Sequence, residues 1–265
     1  MGTVPNFNNM KLAVTGKGGT GKTTIAGILA HLFARDGYQV LAVDADPDAN
    51  LASALGIPEK QASSIIPISR QRRLIKERTG AEPNKFGQMF KLNPTVNDIP
   101  DELSLDFRGI KLLVMGGVQK GGDGCACPEN VLIRTLLSEI ILNRQEVVIV
   151  DMEAGIEHLG RATSRAVDKM LITVEPGARS ISTAKAIMKL AQDIGIGSFG
   201  IIGNKILDEK QKDWILSQFP PEQILGTISY HEIIQTADLN QQPLVELLDD
   251  TLTSEFTRIY QNLTP

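Results

Sequence analysis

The chain has 265 residues, of which 42% are hydrophobic and 22% charged, which suits one large α/β domain or two small ones. A net charge of -4 gives no electrostatic footprint for DNA, and no apolar run approaches the roughly 18 residues that a membrane span needs. The two cysteines exclude a disulfide framework and favour a reducing compartment, so we expect a cytoplasmic protein without nucleic-acid or membrane partners.

Short apolar runs alternate with helical patterns along the chain. The predicted strands are Leu12–Thr15, Val40–Val43, Lys111–Met115, Val147–Val150, Met170–Val174, Gly200–Gly203 and Leu225–Ile228. One predicted helix runs from a glycine-rich loop to Asp36-Gly37, and the others are Val131–Leu142, Ser182–Ile194 and Leu252–Leu263. Several strands are continuously apolar, as in parallel sheets buried on both faces. The pattern predicts a doubly wound, mostly parallel α/β sheet flanked by helices. The sequence GKGGTGKTT at 16–24, directly after the first predicted strand, places this sheet in the P-loop NTPase class.

The domain boundaries follow from where this alternation starts and where it is interrupted. Met10 directly precedes the first strand, so we expect residues 1–9 to be an N-terminal extension or an expression remnant. We expect residues 10–265 to form a single P-loop ATPase domain. A polar segment at about 61–108, broken by four prolines and rich in arginine, is predicted to be an insertion with one or two helices. Its basic cluster is either a solvated helix face or a docking surface.

A glycine-rich loop after the first strand matches the P-loop pattern G-x-x-x-x-G-K-[ST]. It consists of Gly16, Lys17, Gly18, Gly19, Thr20, Gly21, Lys22, Thr23 and Thr24. Backbone N–H groups in such a loop, together with the N-terminus of the following helix, surround phosphate oxygens. We expect Lys22 to neutralise the β- and γ-phosphates of ATP, and the Thr23 hydroxyl to complete the Mg²⁺ shell.

Acidic residues follow two of the predicted strands. Asp44, Asp46 and Asp48 alternate in the turn after Val40–Val43, and Asp151 ends the apolar run Val147–Val150. Carboxylates at the carboxyl end of a sheet can hold Mg²⁺ through water and orient an attacking water. We expect Asp44 and Asp151 to contact the Mg²⁺ shell, while Asp48 fits a simple turn or helix cap.

A side-chain amide ends another buried strand. Asn204 follows Gly200–Gly203, and an amide can both accept from and donate to the N6/N7 edge of adenine. A capping role for Asn204 is the alternative. We expect the backbone around Ser229-Tyr230 to complete the base pocket.

The two cysteines, Cys125 and Cys127, lie one residue apart in a glycine-rich stretch that ends at Pro128. No histidine or further cysteine lies nearby to complete a metal site within one chain. Two chains would supply four thiolates, enough for tetrahedral Zn²⁺, a thiolate Ni²⁺ site or a [4Fe–4S] cluster. We therefore expect Cys125 and Cys127 to bind a metal between the subunits of a homodimer, and the ligand set leaves Ni²⁺ and Zn²⁺ both open.

The second lysine of the loop, Lys17, points to a narrower group. With it, the chain resembles the deviant Walker A ATPases, the MinD/ParA/nitrogenase-iron-protein (SIMIBI) group. The resemblance implies that Lys17 reaches across a homodimer to the partner's nucleotide. It also implies that Asp46 in switch I activates the attacking water, that the N–H of Gly155 in switch II senses the γ-phosphate, and that Asn204 recognises the base.

Within that group, the chain resembles the CooC-type ATPases that mature nickel-containing carbon monoxide dehydrogenase. The resemblance covers nearly the whole chain from Met10, including the runs 11–24, 42–51, 151–160, 174–177 and 243–246 and the C-x-C-P loop. It implies an ATP-dependent homodimer that carries Ni²⁺ on its cysteines and inserts it into the apo dehydrogenase or the related acetyl-CoA synthase. The three histidines, His31, His158 and His231, are scattered, so we expect an insertion ATPase and not a nickel reservoir.

Two other functions fit part of this pattern. Four thiolates per dimer would also suit an iron–sulfur scaffold or a reductase, although the cysteine spacing differs from both. A MinD/ParA-like positioning ATPase would need a basic amphipathic C-terminal helix or a DNA-binding patch. Residues 253–260 contain a single basic residue, Arg258, which argues against that role.

Overall fold

Eight strands form one sheet in the part of the chain that the structure describes, a computed structural model covering residues 9–83, 85, 87–116, 127–154, 166–240 and 242–263. The strands are β1 (Lys11–Gly16), β2 (Val40–Asp44), β3 (Leu105–Phe107), β4 (Ile110–Val114), β5 (Val147–Asp151), β6 (Lys169–Val174), β7 (Phe199–Ile206) and β8 (Ile224–Ser229). Their order is β3-β4-β2-β5-β1-β6-β7-β8. All neighbours pair in parallel except β3 and β4, which confirms the predicted mostly parallel sheet.

Helices connect these strands. They are α1 (Lys22–Arg35), α2 (Leu51–Ala54), α3 (Glu59–Ala62), α4 (Arg72–Thr79), α5 (Ile99–Leu103), α6 (Pro128–Asn143), α7 (Ala178–Ile194), α8 (Glu209–Leu216), α9 (Glu232–Leu239) and α10 (Asp250–Gln261). Short 3-10 turns cover Ile68–Arg70, Pro221–Gln223 and Leu244–Glu246. No helix among these described residues is long and apolar enough to cross a membrane.

Both faces of the sheet are buried, because successive side chains of a strand point to opposite faces. In β1, Leu12 and Val14 join a core cluster with residues of α1 and α10, whereas Ala13 joins a second cluster with residues of α6 and α7. This two-sided burial explains why the strands are continuously apolar in sequence. It also leaves the carboxyl edge of the parallel strands as the place where loops can form a site.

The elements that the sequence pattern missed are short or polar. The segment at 61–108 contains α4, α5 and the end of α3, close to the one or two helices expected, but it ends in an edge strand, β3. That strand has only three residues, Leu105–Phe107, too few for a periodic signal. Helix α6 begins at Pro128, before the predicted Val131, because proline is favoured at the first helical position.

Candidate nucleotide site

The predicted phosphate-binding and acidic residues meet at the carboxyl edge of the sheet. Gly16 is in register with Thr173 of β6, and Asp44 of β2 is in register with Asp151 of β5. Parallel pairing therefore brings together residues that are more than 100 positions apart in sequence. The P-loop follows β1, between the strands that carry these partners.

Glycines in the loop are required by its backbone and by close neighbours. Gly16, Gly19 and Gly21 have φ angles of 151°, 82° and 90°, in the region that disfavours other residues. A Cβ atom on Gly16 would lie 2.5 Å from the Thr173 carbonyl oxygen, and one on Gly21 would lie 2.3 Å from Nδ2 of Asn204. The loop conformation thus depends on the absence of side chains at these positions.

Helix α1 begins directly at this loop and presents its N-terminus to the cavity. Its first residue is Lys22, and no side chain caps the helix at Gly21. The first N–H groups of a helix lack intrahelical partners and carry a partial positive charge. Together with Lys22, which is only 8% exposed, they form a site suited to phosphate oxygens.

Hydroxyl and amide groups hold the P-loop against β6 and β7. The hydroxyls of Thr20 and Thr173 lie 2.6 Å apart, and the Thr20 hydroxyl also donates to the Lys17 carbonyl oxygen at 2.8 Å. Nδ2 of Asn204 donates to the Thr20 carbonyl oxygen at 2.7 Å, and its Oδ1 accepts from the backbone N–H of Lys205 at 2.9 Å. Asn204 therefore ties β7 to the P-loop backbone, while one amide N–H and one lone pair remain for a base.

Asp44 is fully buried and bonded to the turn that follows it. Its Oδ1 accepts from the N–H of Asp46 at 3.2 Å, and its Oδ2 accepts from the N–H of Leu51 at 2.9 Å. Burial raises the pKa of Asp44 to about 6, with these hydrogen bonds acting in the opposite direction. Oδ1 of Asp46 in turn accepts from the N–H of Asp48 at 2.9 Å, so the carboxylates shape the turn that carries them.

Asp151 is fully buried, and neither of its carboxylate oxygens meets the geometry of a hydrogen bond to any described residue. Burial, reinforced by the negative charges of Asp44 and Asp46, raises its pKa to about 7, while the Thr23 hydroxyl and the Lys22 ammonium favour its charged form. A buried carboxylate without donors is costly unless a cation neutralises it. The donor set of Asp151 and Thr23 therefore fits Mg²⁺.

A cavity of about 1010 Å³ opens above these residues. Its lining includes the P-loop, Asp46 and Asn204, together with Ile228, Ser229 and Tyr230, around which the base is expected. Glu255 of α10 holds the strand end at Ser229, because it accepts hydrogen bonds from the N–H and the hydroxyl of that residue. The cavity is large enough for a nucleoside triphosphate.

Lys17 belongs to the P-loop, but its side chain is not part of the cavity lining. Its ammonium pairs with Glu175 in the same chain, with 3.3 Å between Nζ and Oε1. The Lys17 side chain is 39% exposed. The predicted reach to a partner subunit is therefore compatible with its position, but in this structure the lysine has an intrachain partner.

The expected metal pair falls largely outside the described residues. Cys125 and the switch II glycine, Gly155, both lie in segments that the structure does not describe. Cys127 is half-buried and caps the start of α6, where its carbonyl oxygen accepts from the N–H of Val131 at 3.1 Å. Among the described residues, no group of three or more His, Cys, Asp or Glu side chains is arranged to hold a metal.

Three residues at the site were assigned no role from the sequence: Thr173, Glu175 and Lys205. Thr173 is the last but one residue of β6, Glu175 directly follows that strand, and Lys205 follows Asn204 in β7. The ammonium of Lys205 donates to the Gly19 carbonyl oxygen at 2.6 Å. Their place in the sequence could have indicated a role in the site, because polar residues at the carboxyl ends of parallel strands lie at the ligand-binding edge of the sheet.

A P-loop that follows the first strand of a doubly wound sheet, with two buried aspartates in register beside it, defines a P-loop ATPase with a deviant Walker A motif. Residues 11–244 match the CobQ/CobB/MinD/ParA nucleotide binding domain. The chain is 50% identical over 229 residues to the carbon monoxide dehydrogenase accessory protein CooC of Rhodospirillum rubrum, a match that covers 86% of this chain and 87% of that protein. The chain belongs to this family of ATPases, in the group of CooC.

Other relatives agree with this assignment. An uncharacterised ATP-binding protein of Methanocaldococcus jannaschii is 45% identical over 254 residues, covering 95% of this chain and 96% of its own length. The fold matches that of the MinD cell division protein of Aquifex aeolicus with a TM-score of 0.65 and 21% identity, over 96% of both chains. A plasmid partition protein of Borrelia burgdorferi bound to AMPPNP gives a TM-score of 0.67 at 18% identity, over 96% of this chain and 98% of that one. These structural likenesses confirm the fold.

Proposed function

We propose that this protein is an ATP-hydrolysing homodimeric metallochaperone that binds a metal through Cys125 and Cys127 at the dimer interface. Its client is carbon monoxide dehydrogenase or acetyl-CoA synthase, into which it inserts nickel. The observation that carries the proposal is the likeness to CooC, which extends over most of both chains. The cavity beside the P-loop supports the nucleotide part of the proposal, and the C-x-C pair supports the metal part.

The nucleotide is held by the loop and the start of α1. The N–H groups between Gly16 and Thr24 surround the phosphates, and Lys22 neutralises the β- and γ-phosphate oxygens. Thr23, Asp44 and Asp151 would hold Mg²⁺, which supplies charge neutralisation at the phosphates when bound. The orphaned carboxylate of Asp151 supports this assignment.

Hydrolysis requires a water held in position to attack the γ-phosphate and positive groups that stabilise the negative charge on that phosphate. Asp46 lines the cavity beyond Asp44 and orients the attacking water by accepting its proton or hydrogen bond. Lys17 crosses the dimer interface and stabilises charge on the partner's phosphates. Gly155 reports the γ-phosphate through its N–H, and loss of that phosphate loosens switch I and switch II. Asn204 and the Ser229-Tyr230 backbone contact the base.

The metal is cargo on the cysteine pair. Two chains contribute Cys125 and Cys127, giving four thiolates that suit Ni²⁺ or Zn²⁺. Closing the dimer with ATP brings the two cysteine loops together, and hydrolysis allows the subunits to separate and release the ion. The nucleotide and the metal thereby control the same interface.

A metal titration tests the cysteine part. Apo protein is titrated with Ni²⁺ and with Zn²⁺ while thiolate-to-metal charge-transfer absorption and oligomer mass are recorded together. We expect one metal per dimer in the wild type and none in Cys127→Ala, with ATP binding unchanged in both. A chromophore near 400 nm in the purified protein would favour an iron–sulfur ATPase, and absence of metal binding would contradict the chaperone proposal.

An insertion assay tests the client. Nickel-free carbon monoxide dehydrogenase is incubated with Ni²⁺, ATP and the protein, and its activity is followed over time. We expect activation to require the wild type and to fail with Lys22→Ala or Cys127→Ala. Equal activation by all three proteins would exclude a direct role in nickel insertion.

A further inference from the structure

A carboxylate next to the P-loop is shared by two lysines of the same chain. Glu175 lies directly after β6, and its Oε1 is 3.3 Å from Nζ of Lys17. Its other oxygen, Oε2, is 3.8 Å from Nζ of Lys205. The two lysines thus approach opposite oxygens of a single side chain, and Lys17 is the residue assigned above to the partner's nucleotide.

The backbone at Glu175 is held in place by a hydrogen bond and by the proline that follows. Its N–H donates to the hydroxyl of Ser180 at 3.0 Å, and Ser180 is buried in the first turn of α7. Pro176 follows and fixes its own φ angle. The carboxylate is therefore presented from a fixed backbone, whereas the side chain of Lys17 is long, flexible and 39% exposed.

Lys205 gives the carboxylate a second cation that stays in place. Its ammonium is held by the Gly19 carbonyl oxygen at 2.6 Å, and its backbone adopts a φ of 59°, uncommon for a residue other than glycine. If Lys17 leaves, Glu175 retains Lys205 as a positive neighbour. This arrangement lowers the cost of separating Lys17 from Glu175.

We propose that Glu175 is a positioning residue that holds Lys17 within its own subunit until the dimer forms, when Lys17 exchanges this carboxylate for the phosphates of the second subunit. The inference rests on the proposed ATP-driven dimer. A triphosphate carries several negative charges against the single charge of Glu175, and a closed interface excludes water, so the exchange favours the phosphates. The intrachain pair consequently sets a threshold that nucleotide binding must overcome.

The test is the dissociation constant of the dimer with Mg²⁺ and a non-hydrolysable ATP analogue, measured by analytical ultracentrifugation. Glu175→Gln keeps the shape of the side chain and removes its charge. When the wild type dimerises, it must break one partly exposed Lys17–Glu175 ion pair in each subunit, whereas the variant has no such pair to break. We therefore expect the dissociation constant of the variant dimer to be roughly 2- to 30-fold lower than that of the wild type. Analogue affinity at concentrations where the protein is monomeric should change less than about 3-fold.

Two further proteins separate positioning from general effects. Glu82→Gln is the matched control, because Glu82 also bridges two lysines, Lys76 and Lys85, far from the cavity; its dimer should match the wild type. In a Lys17→Gln background, Glu175→Gln should no longer strengthen the dimer, since the pair it opens is already absent. A merely structural role of Glu175 would act in both backgrounds.

The possible results distinguish failure of the positioning role of Glu175 from failure of the ATP-driven dimer. If the wild type dimerises and Lys17→Gln dimerises measurably but more weakly, while Glu175→Gln dimerises equally or more weakly than the wild type, the positioning role is overturned and the ATP-driven dimer stands. If neither the wild type nor Glu175→Gln dimerises with the analogue, both proposals fail. Dimerisation of Glu175→Gln at protein concentrations where the wild type stays monomeric would support both.

Discussion

Asp151 should destabilise the protein when neither Mg²⁺ nor nucleotide is bound. Both of its carboxylate oxygens are buried and make no hydrogen bond of good geometry to a described residue, so the nearby Thr23 hydroxyl and Lys22 ammonium offset its burial only in part, and Asp44 lies in register beside it. Asp151→Asn removes the charge and keeps the shape of the side chain. We therefore expect the variant to be more stable than the wild type in the absence of ligands, and increasingly so as the pH rises.

The loss in free energy of unfolding follows from the difference between the folded and unfolded pKa values of Asp151. The pKa of Asp151 in the folded protein, about 7, lies about three pH units above the ordinary value of 3.8, and each unit corresponds to about 1.4 kcal/mol. Because the folded-state pKa is raised, the unfolded chain ionises first, and stability is lost as the pH rises from about 4 to about 7. The full effect is about 4 kcal/mol, of which about 2 to 3 kcal/mol develops between about pH 5 and pH 8.

The measurement is urea unfolding with a chelator present, at several pH values between about 5 and 8. The quantity compared is the difference in free energy of unfolding between Asp151→Asn and the wild type. Asp213→Asn, on the exposed surface of α8, controls for the change of charge alone and should shift stability by less than about 0.5 kcal/mol throughout. Added Mg²⁺ and ATP analogue should stabilise the wild type more than the Asp151 variant.

A difference that does not change with pH, or that shrinks as the pH rises, would refute the reasoning. It would mean that the carboxylate finds a donor or a permanent cation in solution. A wild type that gains no more than Asp151→Asn from Mg²⁺ and the analogue would separately refute the assignment of Asp151 to the metal. The two results test burial and ligand binding independently.

Three further substitutions address the phosphate side of the cavity. Lys22→Ala should weaken ATP binding by about 100-fold, measured by calorimetry, because a buried ammonium on the phosphates is lost; unchanged affinity would contradict its role. Asp46→Asn should bind ATP normally but hydrolyse it at least about 100-fold more slowly in a phosphate-release assay, and normal turnover would remove Asp46 from the chemistry. Gly21→Ala should lower both the melting temperature and ATP affinity, since its Cβ would lie 2.3 Å from the Asn204 amide at a φ of 90°. Wild-type behaviour of Gly21→Ala would show that the loop can relax around a side chain.

The sheet could be predicted from the sequence because its strands are apolar on both faces. The run Val147–Val150 gave β5 almost to the residue, and the glycine at Gly37 marked the end of α1. The short strand β3 and the helices α8 and α9 could not be predicted in this way. They are too short for a long periodic pattern, with three residues in β3 and eight in each helix. Their position depends on packing against β4, β7 and the turn at Leu244–Glu246.

The nucleotide site was predictable in its residue types but not in its contacts. The P-loop motif and the aspartates at strand ends were sufficient to locate Lys22, Asp44 and Asp151. Neither motif indicates that Asn204 binds the loop backbone or that Glu175 pairs with Lys17. Both contacts join the P-loop to residues more than 150 positions further along the chain. Neighbouring residues in the sequence therefore give no indication of them.

A continuous set of backbone hydrogen bonds connects the nucleotide site with the start of the cysteine loop. The Asp151 carbonyl oxygen accepts from the N–H of Ala45 at 2.9 Å, and the Asp44 carbonyl oxygen accepts from the N–H of Met115 at 2.9 Å. The chain runs on from Gly116 towards Cys125. Gly116 is closely enclosed, because a Cβ there would lie 2.6 Å from the Ser69 hydroxyl.

These bonds give the proposed coupling of hydrolysis and metal release a physical route. Asp44 and Asp151 are the carboxylates expected to respond to Mg²⁺ and the γ-phosphate. Asp44 ends β2, the neighbour of β4, and Asp151 ends β5, the next strand along the sheet. A rigid element with two arrangements is required for two sites to influence each other. The polar segment at 61–108 supplies the outer support, since the Ser69 N–H donates to the Met115 carbonyl oxygen at 2.9 Å. Under the proposed function, a displacement of Asp44 would therefore act on Met115, which the Ser69 N–H holds from its other side.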